Sequence, residues 1–281
     1  MYSGRVLVGF WLDKLQLEME QREEQDKKRK KGLLICQRRR RLIHNFIRGV
    51  PLPTNPSCDY IKFGQHVQVH APEVIDMTYK LESDRGCPDA EIPWGPRQLG
   101  LTLAATAAYE DIEIARMVDG CAVACSPYRC PASRNIFKIV DVDFGTEGDC
   151  LTFGRQFYLQ LPYANEILYL RSETPLIDGQ FGPKYHNPLR LNVTKDCYAK
   201  WRALYWNRQQ RFETEGDPIP PCIRIVIQHV MTGQCLAVEN LKWHRSILGY
   251  ECGASAHTYA DVHRNETSEC IWNFIIPRNY N

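Results

Sequence analysis

Tyr60-Ile61-Lys62-Phe63-Gly64-Gln65-His66-Val67-Gln68-Val69 and Cys150-Leu151-Thr152-Phe153-Gly154-Arg155-Gln156-Phe157-Tyr158-Leu159 are the two stretches on which the fold turns. They align at an offset of 90 residues, both alternate apolar with polar positions, and both hold Phe-Gly at the same place. Alternation at period two marks a half-buried strand, and its return at a fixed offset marks an internal repeat. A fainter third copy lies 68 residues further on. Phe157 and Leu159 map onto Ile225 and Ile227, and the same offset carries Leu168-Tyr169-Leu170 onto Leu236-Ala237-Val238. Each unit then ends in a strand with a large aromatic: Ile136-Phe137-Lys138-Ile139, then Tyr198 to Trp201, then Ile271-Trp272-Asn273-Phe274.

Three units of paired short strands predict a mainly β fold, a β-trefoil-like pseudo-threefold barrel over residues 57–281. Phe137, Trp201 and Trp272 would then meet as its structural core. A β-sandwich with Greek-key connections is the alternative. Two stretches stand outside the repeat. Residues 73–134 read as an oversized insertion in the first unit, with a short helix at Tyr109 to Val118. Thr174 to Leu191, holding three Pro and two Gly, reads as a long ordered loop; loops of this size tend to carry contacts.

The composition of the 281 residues, 44% hydrophobic and 24% charged, is that of a globular protein and excludes disorder over most of the length. No apolar run approaches the ~20 residues of a bilayer span, so no membrane partner is expected. The N-terminus lacks the basic and apolar regions of a secretory signal, which points to the cytoplasm and reduced thiols for the 12 Cys.

The net charge of +2 hides a division. Residues 1–55 carry 13 Lys and Arg against 6 Asp and Glu, while the remainder carries 22 against 27. Trp11, Leu12, Leu15 and Met19 recur at helical spacing, followed by a wholly polar stretch from Gln21 to Lys31 that Gly32 can stop. A second amphipathic stretch follows from Leu33 to Ile47, and Pro51, Pro53 and Pro56 end it as a linker. Residues 1–56 are therefore expected to form a charged helical arm. Its basic residues Lys27, Lys28, Arg29, Lys30, Lys31, Arg38, Arg39, Arg40, Arg41 and Arg48 include no acidic neighbour between Lys27 and Arg48. Such a run attracts an acidic surface. The arm lacks the interleaved aromatics that stack bases, so an acidic protein surface is favoured over nucleic acid.

Cys121, Cys125 and Cys130, with Cys87 upstream, invite a zinc reading, but their spacing is looser than paired C-x2-C knuckles and buried or idle thiols are favoured. His257, Tyr259, Asp261 and His263 alternate, and on a strand they would share a face with Asp261 holding a His tautomer. They are read as a loop anchor. No G-x-S-x-G, P-loop, H-E-x-x-H or Rossmann glycine pattern occurs, so neither an enzyme nor a cofactor or metal is expected.

The chain resembles the cilia- and flagella-associated protein 161 family. The residues that carry the likeness are Gly9-Phe10-Trp11, an acidic-then-basic helix, the Lys31-Gly32-Leu33-Leu34 step into Arg38-Arg39-Arg40-Arg41-Leu42, and Phe63-Gly64 and Phe153-Gly154. Leu168-Tyr169-Leu170-Arg171-Ser172, His257-Thr258-Tyr259 with Asp261 and His263-Arg264, and Trp272 follow in order. The Cys-rich stretch 73–134 departs from the pattern. The resemblance implies a non-enzymatic microtubule inner protein of the ciliary or flagellar axoneme. It would be bound to α/β-tubulin in the lumen of the A-tubule beside other microtubule inner proteins, stiffening the doublet during beating. A soluble trefoil that binds a ligand, lectin-like, or acts as a scaffold is the alternative. A sugar site would want an exposed aromatic beside Asp, which only Tyr259 and Asp261 offer plainly.

Overall fold

The computed structural model describes residues 8–52, 59–77, 99–142, 147–172 and 186–277, and of their side chains all but those of 8–10 and 99. Two helices come first, α1 (Val8–Lys30) and α2 (Ile35–Ile47). The strands follow as β1 (His66–Ile75), β2 (Leu99–Ala105), β3 (Cys121–Ser126) and β4 (Phe137–Asp141), then β5 (Gln156–Leu161), β6 (Leu168–Ser172), β7 (Asn187–Asn192) and β8 (Lys200–Tyr205). After a one-turn helix, α3 (Arg211–Thr214), come β9 (Ile225–His229), β10 (Leu236–Ser246), β11 (Gly249–Ala256) and β12 (Ile271–Ile275).

The pairing closes on itself. β1 pairs with β4 and β12, β4 with β5, β5 with β8, β8 with β9 and β9 with β12, all antiparallel. The other six described strands form the hairpins β2–β3, β6–β7 and β10–β11, and β3, β7 and β11 pair with one another across the end of the barrel. Closure leaves the barrel strands no free edge on which another chain could template.

The symmetry of the chain is written in its backbone. Ile61 N–H donates to Ile219 O at 2.8 Å, Leu151 N–H to Ile61 O at 2.8 Å, and Ile219 N–H to Leu151 O at 2.9 Å. This cyclic triangle joins positions 61, 151 and 219, spaced by the same 90 and 68 residues as the sequence repeats, and all three side chains are buried. Three residues beyond each corner the chain must turn. Gly64 N–H donates to Ile139 O, Gly154 N–H to Ala203 O and Cys222 N–H to Phe274 O, each reaching its own unit's closing strand. All three turn residues have positive φ, 84° at Gly64 and Gly154 and 63° at Cys222. Glycine adopts that region freely, whereas a residue with a Cβ is strained there. An added Cβ would also lie 3.2 Å from the Glu147 side chain at Gly64 and 3.2 Å from that of Glu215 at Gly154. Replacing Cys222 by Gly is therefore expected to stabilise the protein by about 1 kcal/mol. Thermal melts of the two proteins check this, and an unchanged or lower midpoint would show that the Cys222 side chain compensates for its backbone.

Phe137, Trp201 and Trp272 are fully buried in one apolar cluster with Ile61, Leu151 and Ile219. Both indoles satisfy their N–H inside the barrel: Trp201 Nε1 donates to Leu170 O at 2.9 Å and Trp272 Nε1 to Leu236 O at 2.7 Å. Under the hairpin end lies a buried ion pair. Arg134 Nη1 donates to Glu251, whose other carboxylate oxygen accepts from the Thr106 hydroxyl, and Arg134 Nη2 donates to Ser126 Oγ at 2.6 Å.

Four expectations need correction. The arm does not extend to residue 56: α2 buries Leu42 and Phe46 in the main core, and Val50 and Leu52 pack on Ile136. Ser133 Oγ donates to the last-turn carbonyls of α2, at 2.6 Å to Asn45 O and 2.9 Å to Phe46 O, so the body itself caps this helix. The boundary between free arm and body therefore falls near Gly32. Residues 73–134 are not simply an insertion, because they supply β2 and β3, the first unit's hairpin; residues 78–98 lie outside the described residues. The helix read at Tyr109 to Val118 is only a 3-10 turn at Tyr109–Ile112, halted where Ala115 takes a φ of 54°. Finally, the stretch read as a loop from Thr174 ends in β7, where Leu189 and Leu191 point inward and Pro188 and Arg190 outward; 174–185 lie outside the described residues.

Candidate functional site

Every described side chain of α1 is exposed. The helix holds its shape locally: Lys28 Nζ lies 2.8 Å from Glu24 and Lys27 Nζ 3.9 Å from Glu23, both at i,i+4 spacing with the acid N-terminal, the favourable order. It ends in a Schellman turn, with Leu33 N–H donating to Lys28 O at 2.9 Å and Gly32 N–H to Arg29 O at 3.1 Å, and Gly32 in the left-handed region at φ 68°. Acidic residues thus sit in the middle of the rod and Lys27 to Lys31 at its end, beside the start of α2.

α2 divides its faces differently. Leu42 and Phe46 point into the body, while Arg39, Arg40, Arg41 and Arg48 are exposed. Arg38 is half-buried and lies 3.6 Å from Glu113 of the body, and Asn45 Nδ2 donates to Ala115 O at 2.8 Å. Arg38 therefore differs from its three neighbours: it helps dock the helix, and they face outward. Ile35, Cys36, Arg39, Arg40 and Ile43 line a shallow groove on the same helix. The predicted basic residues are thus gathered around the junction of the two helices, on α1's last turns and α2's outer face.

The predicted loop anchor is only partly assembled. His257 stacks on His186 with ring centroids 4.2 Å apart, and Tyr259 O–H donates to Glu239 Oε2 at 2.9 Å. Glu239 is buried on β10 and also accepts from Ser255 Oγ, from His186 Nδ1 at 2.5 Å and from Lys242 Nζ at 3.3 Å. Burial pushes its carboxyl up, but the hydrogen bonds from Ser255, His186 and Tyr259 outweigh it and hold the pKa below the usual carboxylate range. Burial and the bond to Glu239 push the Tyr259 phenol well above its ordinary value. Asp261 and His263 do not join this network. Both are exposed, and Asp261 Oδ1 accepts from Asn265 N–H at 2.8 Å, closing a tight turn of its own instead of holding a histidine. Tyr259 is thus turned onto Glu239 and Asp261 onto the backbone of Asn265, so the pair that suggested a sugar site does not face one another. His186, Glu239 and Ser255 were not legible as partners, because they lie just before β7, on β10 and on β11, and nothing local marks them.

A folded-state pKa below the unfolded value means that the unfolded chain takes up the proton first on acidification. Glu239's contribution is then complete above the ordinary carboxylate range and lost as pH falls through its lower folded value. Glu239→Gln is expected to remove that part of the acid-side slope when melting temperature is followed against pH. A parent and variant with parallel acid limbs would place the carboxylate's stabilisation elsewhere.

Of the cysteines considered for zinc, Cys125 is buried opposite Cys252 in the β3–β11 register, Cys130 is exposed and Cys87 lies outside the described residues. Burial pushes the Cys252 thiol up to about 12. Among the described residues no three His, Cys, Asp or Glu side chains converge as for a metal.

A closed β body carrying a helical extension whose basic face is turned to solvent defines a class, a β-barrel protein with a basic N-terminal helical extension. A family model for the cilia- and flagella-associated protein 161-like domain matches residues 38–276, from α2 to the end of the barrel. The chain belongs to that family. The cow (Bos taurus) cilia- and flagella-associated protein 161 is 27% identical over 275 residues, covering 97% of this chain and 81% of that protein. The proteins of the same name from Mus musculus and Danio rerio are 29% and 26% identical, with 99% and 97% of this chain and 90% and 87% of theirs covered. Among solved structures, the SDF2-like protein from Arabidopsis thaliana matches 79% of this chain and 99% of its own at 14% identity and a TM-score of 0.48, too distant to argue from.

Proposed function

We propose that this chain is a non-enzymatic structural component of the ciliary or flagellar axoneme, a microtubule inner protein bound to α/β-tubulin in the lumen of the A-tubule of doublet microtubules. The body is read as a β-trefoil, on the strength of the cyclic Ile61, Leu151, Ile219 triangle and the three hairpins that cap it. It would serve as a rigid block, and the helices as its attachment. The observation that carries the attachment is the segregation of charge: exposed Lys27 to Lys31 and Arg39, Arg40 and Arg41 gather around the α1–α2 junction of a chain whose remainder is acidic. Tubulin is acidic, and attraction between opposite charges across water is long-ranged enough to steer and hold such a contact. Membership of a cilia- and flagella-associated family supports the location.

The test is retention of the tagged protein on detergent-extracted doublets through a salt series. Arg39→Gln, Arg40→Gln and Arg41→Gln together, leaving Arg38 on Glu113, should lower retention and reduce its dependence on salt while the body melts as before. Retention of this variant equal to the parent's at every salt concentration would remove α2 from the contact.

A further inference from the structure

The basic run accounts for the charged end of the helical extension and leaves its other end unexplained. In α1, Trp11, Leu12, Leu15 and Met19 project within an arc of about 100° at 100° per residue, one narrow face of the helix. These four side chains are 65%, 59%, 43% and 57% exposed. Beyond Met19 the same face continues with Arg22, Glu23 and Asp26, so the apolar stripe is confined to the first turns. Leu17 is exposed on the opposite side and does not belong to it. A helix of 23 residues spans roughly 34 Å, and with every described side chain exposed it draws no stabilisation from the body. An indole and three long aliphatic chains aligned in water on such a rod are the pattern of a helix that lies in another protein's groove.

We infer that this stripe is an apolar anchor that seats in a hydrophobic groove on the acidic surface met by the basic run, so that one rod makes two kinds of contact with one partner. The inference rests on the tubulin reading and deepens it. Charge selects the occupant: Lys27 to Lys31 lie two to three turns from the stripe on the same rod, so a surface that accepts the anchor must present negative charge within about 20 Å of the groove. Two α1 helices from separate copies laid side by side in parallel would set these lysines against each other, which argues against self-association in that sense. The basic end then sets how fast and in what orientation the partner is met, and the buried stripe sets how long it stays.

The test is co-sedimentation of the full chain with open tubulin sheets, which leave both faces accessible, over a salt series. Trp11→Ala, Leu15→Ala and Met19→Ala together keep the helix, since alanine is the best helix former. This variant is expected to bind at least about tenfold more weakly at every salt concentration, with an unchanged salt dependence, because truncating a buried aromatic anchor typically costs that much. The Arg39, Arg40, Arg41 glutamine variant should instead show a flattened salt dependence. Binding of the apolar variant equal to the parent's, or a deficit that vanishes at high salt, overturns the anchor and leaves the tubulin reading standing. A parent that does not bind the sheets sinks the tubulin reading and the anchor with it. A parent that is dimeric by light scattering, with the apolar variant monomeric, shows the stripe to be occupied by a second copy and overturns the choice of partner.

Discussion

Trp272→Ala is expected to lower the unfolding free energy by about 3–5 kcal/mol, a third or more of the stability of a typical domain. The ring is fully buried where β12 joins the barrel, so its removal leaves a cavity that the neighbouring strands, closed into a ring, cannot easily collapse to fill. The indole N–H also leaves Leu236 O without its donor. Urea denaturation followed by far-UV circular dichroism measures the loss. A variant with a midpoint within experimental error of the parent would mean that this aromatic does not sit in the core. Trp201→Ala should behave alike, because its N–H bond to Leu170 O repeats the arrangement in the preceding unit.

Glu251→Ala is expected to cost as much, about 3–5 kcal/mol, for a different reason. It strands the Arg134 guanidinium in a place where both partners are about 1% exposed, and takes the acceptor from the Thr106 hydroxyl. Arg134 Nε already lacks a hydrogen-bond partner there among the described residues, so the pair is not perfectly satisfied even when intact. Removing both charges should therefore be far milder than removing one: Arg134→Met with Glu251→Leu is expected to recover most of the loss. If the double variant is no better than the sum of the two singles, the two side chains do not act as a pair.

The repeat could be read from the sequence because the stretches 60–69 and 150–159 align over the positions that build two corners of the backbone triangle and the turns beyond them, while the third corner, at Ile219 and Cys222, lies outside the aligned stretches and shows only in the structure. Ile61, Leu151 and Ile219 fall at the two offsets, and so do Gly64, Gly154 and Cys222. The first unit's hairpin could not be read this way. Cys121–Ser126 is buried over most of its length and shows a nearly continuous apolar run without the alternation that betrays a half-buried strand, and Leu99–Ala105 alternates only over its first five residues, with Gly and Thr between its leucines. β7 was hidden by Pro188, which reads as a break although the strand tolerates it. In α2 the four consecutive arginines dominate the composition, and Leu42 and Phe46, one turn apart, carry the packing. Among the candidate site residues, the basic ones were legible because charge segregation is a property of the sequence. The environment of Glu239 was not, since its ligating hydrogens come from His186, Ser255 and Tyr259, which only the fold brings together.

The backbone triangle also dictates when the molecule can come into being. Each of its three bonds joins a different pair of units, so none is available to a chain that has only its first unit, and the last closing strand, β12, must pair with β1 at the other end of the body. During synthesis the barrel therefore stays open until nearly all of the body has left the ribosome, and contacts this distant in sequence form slowly. Until then β1 is a strand with an unmet edge, open to pairing with the wrong chain.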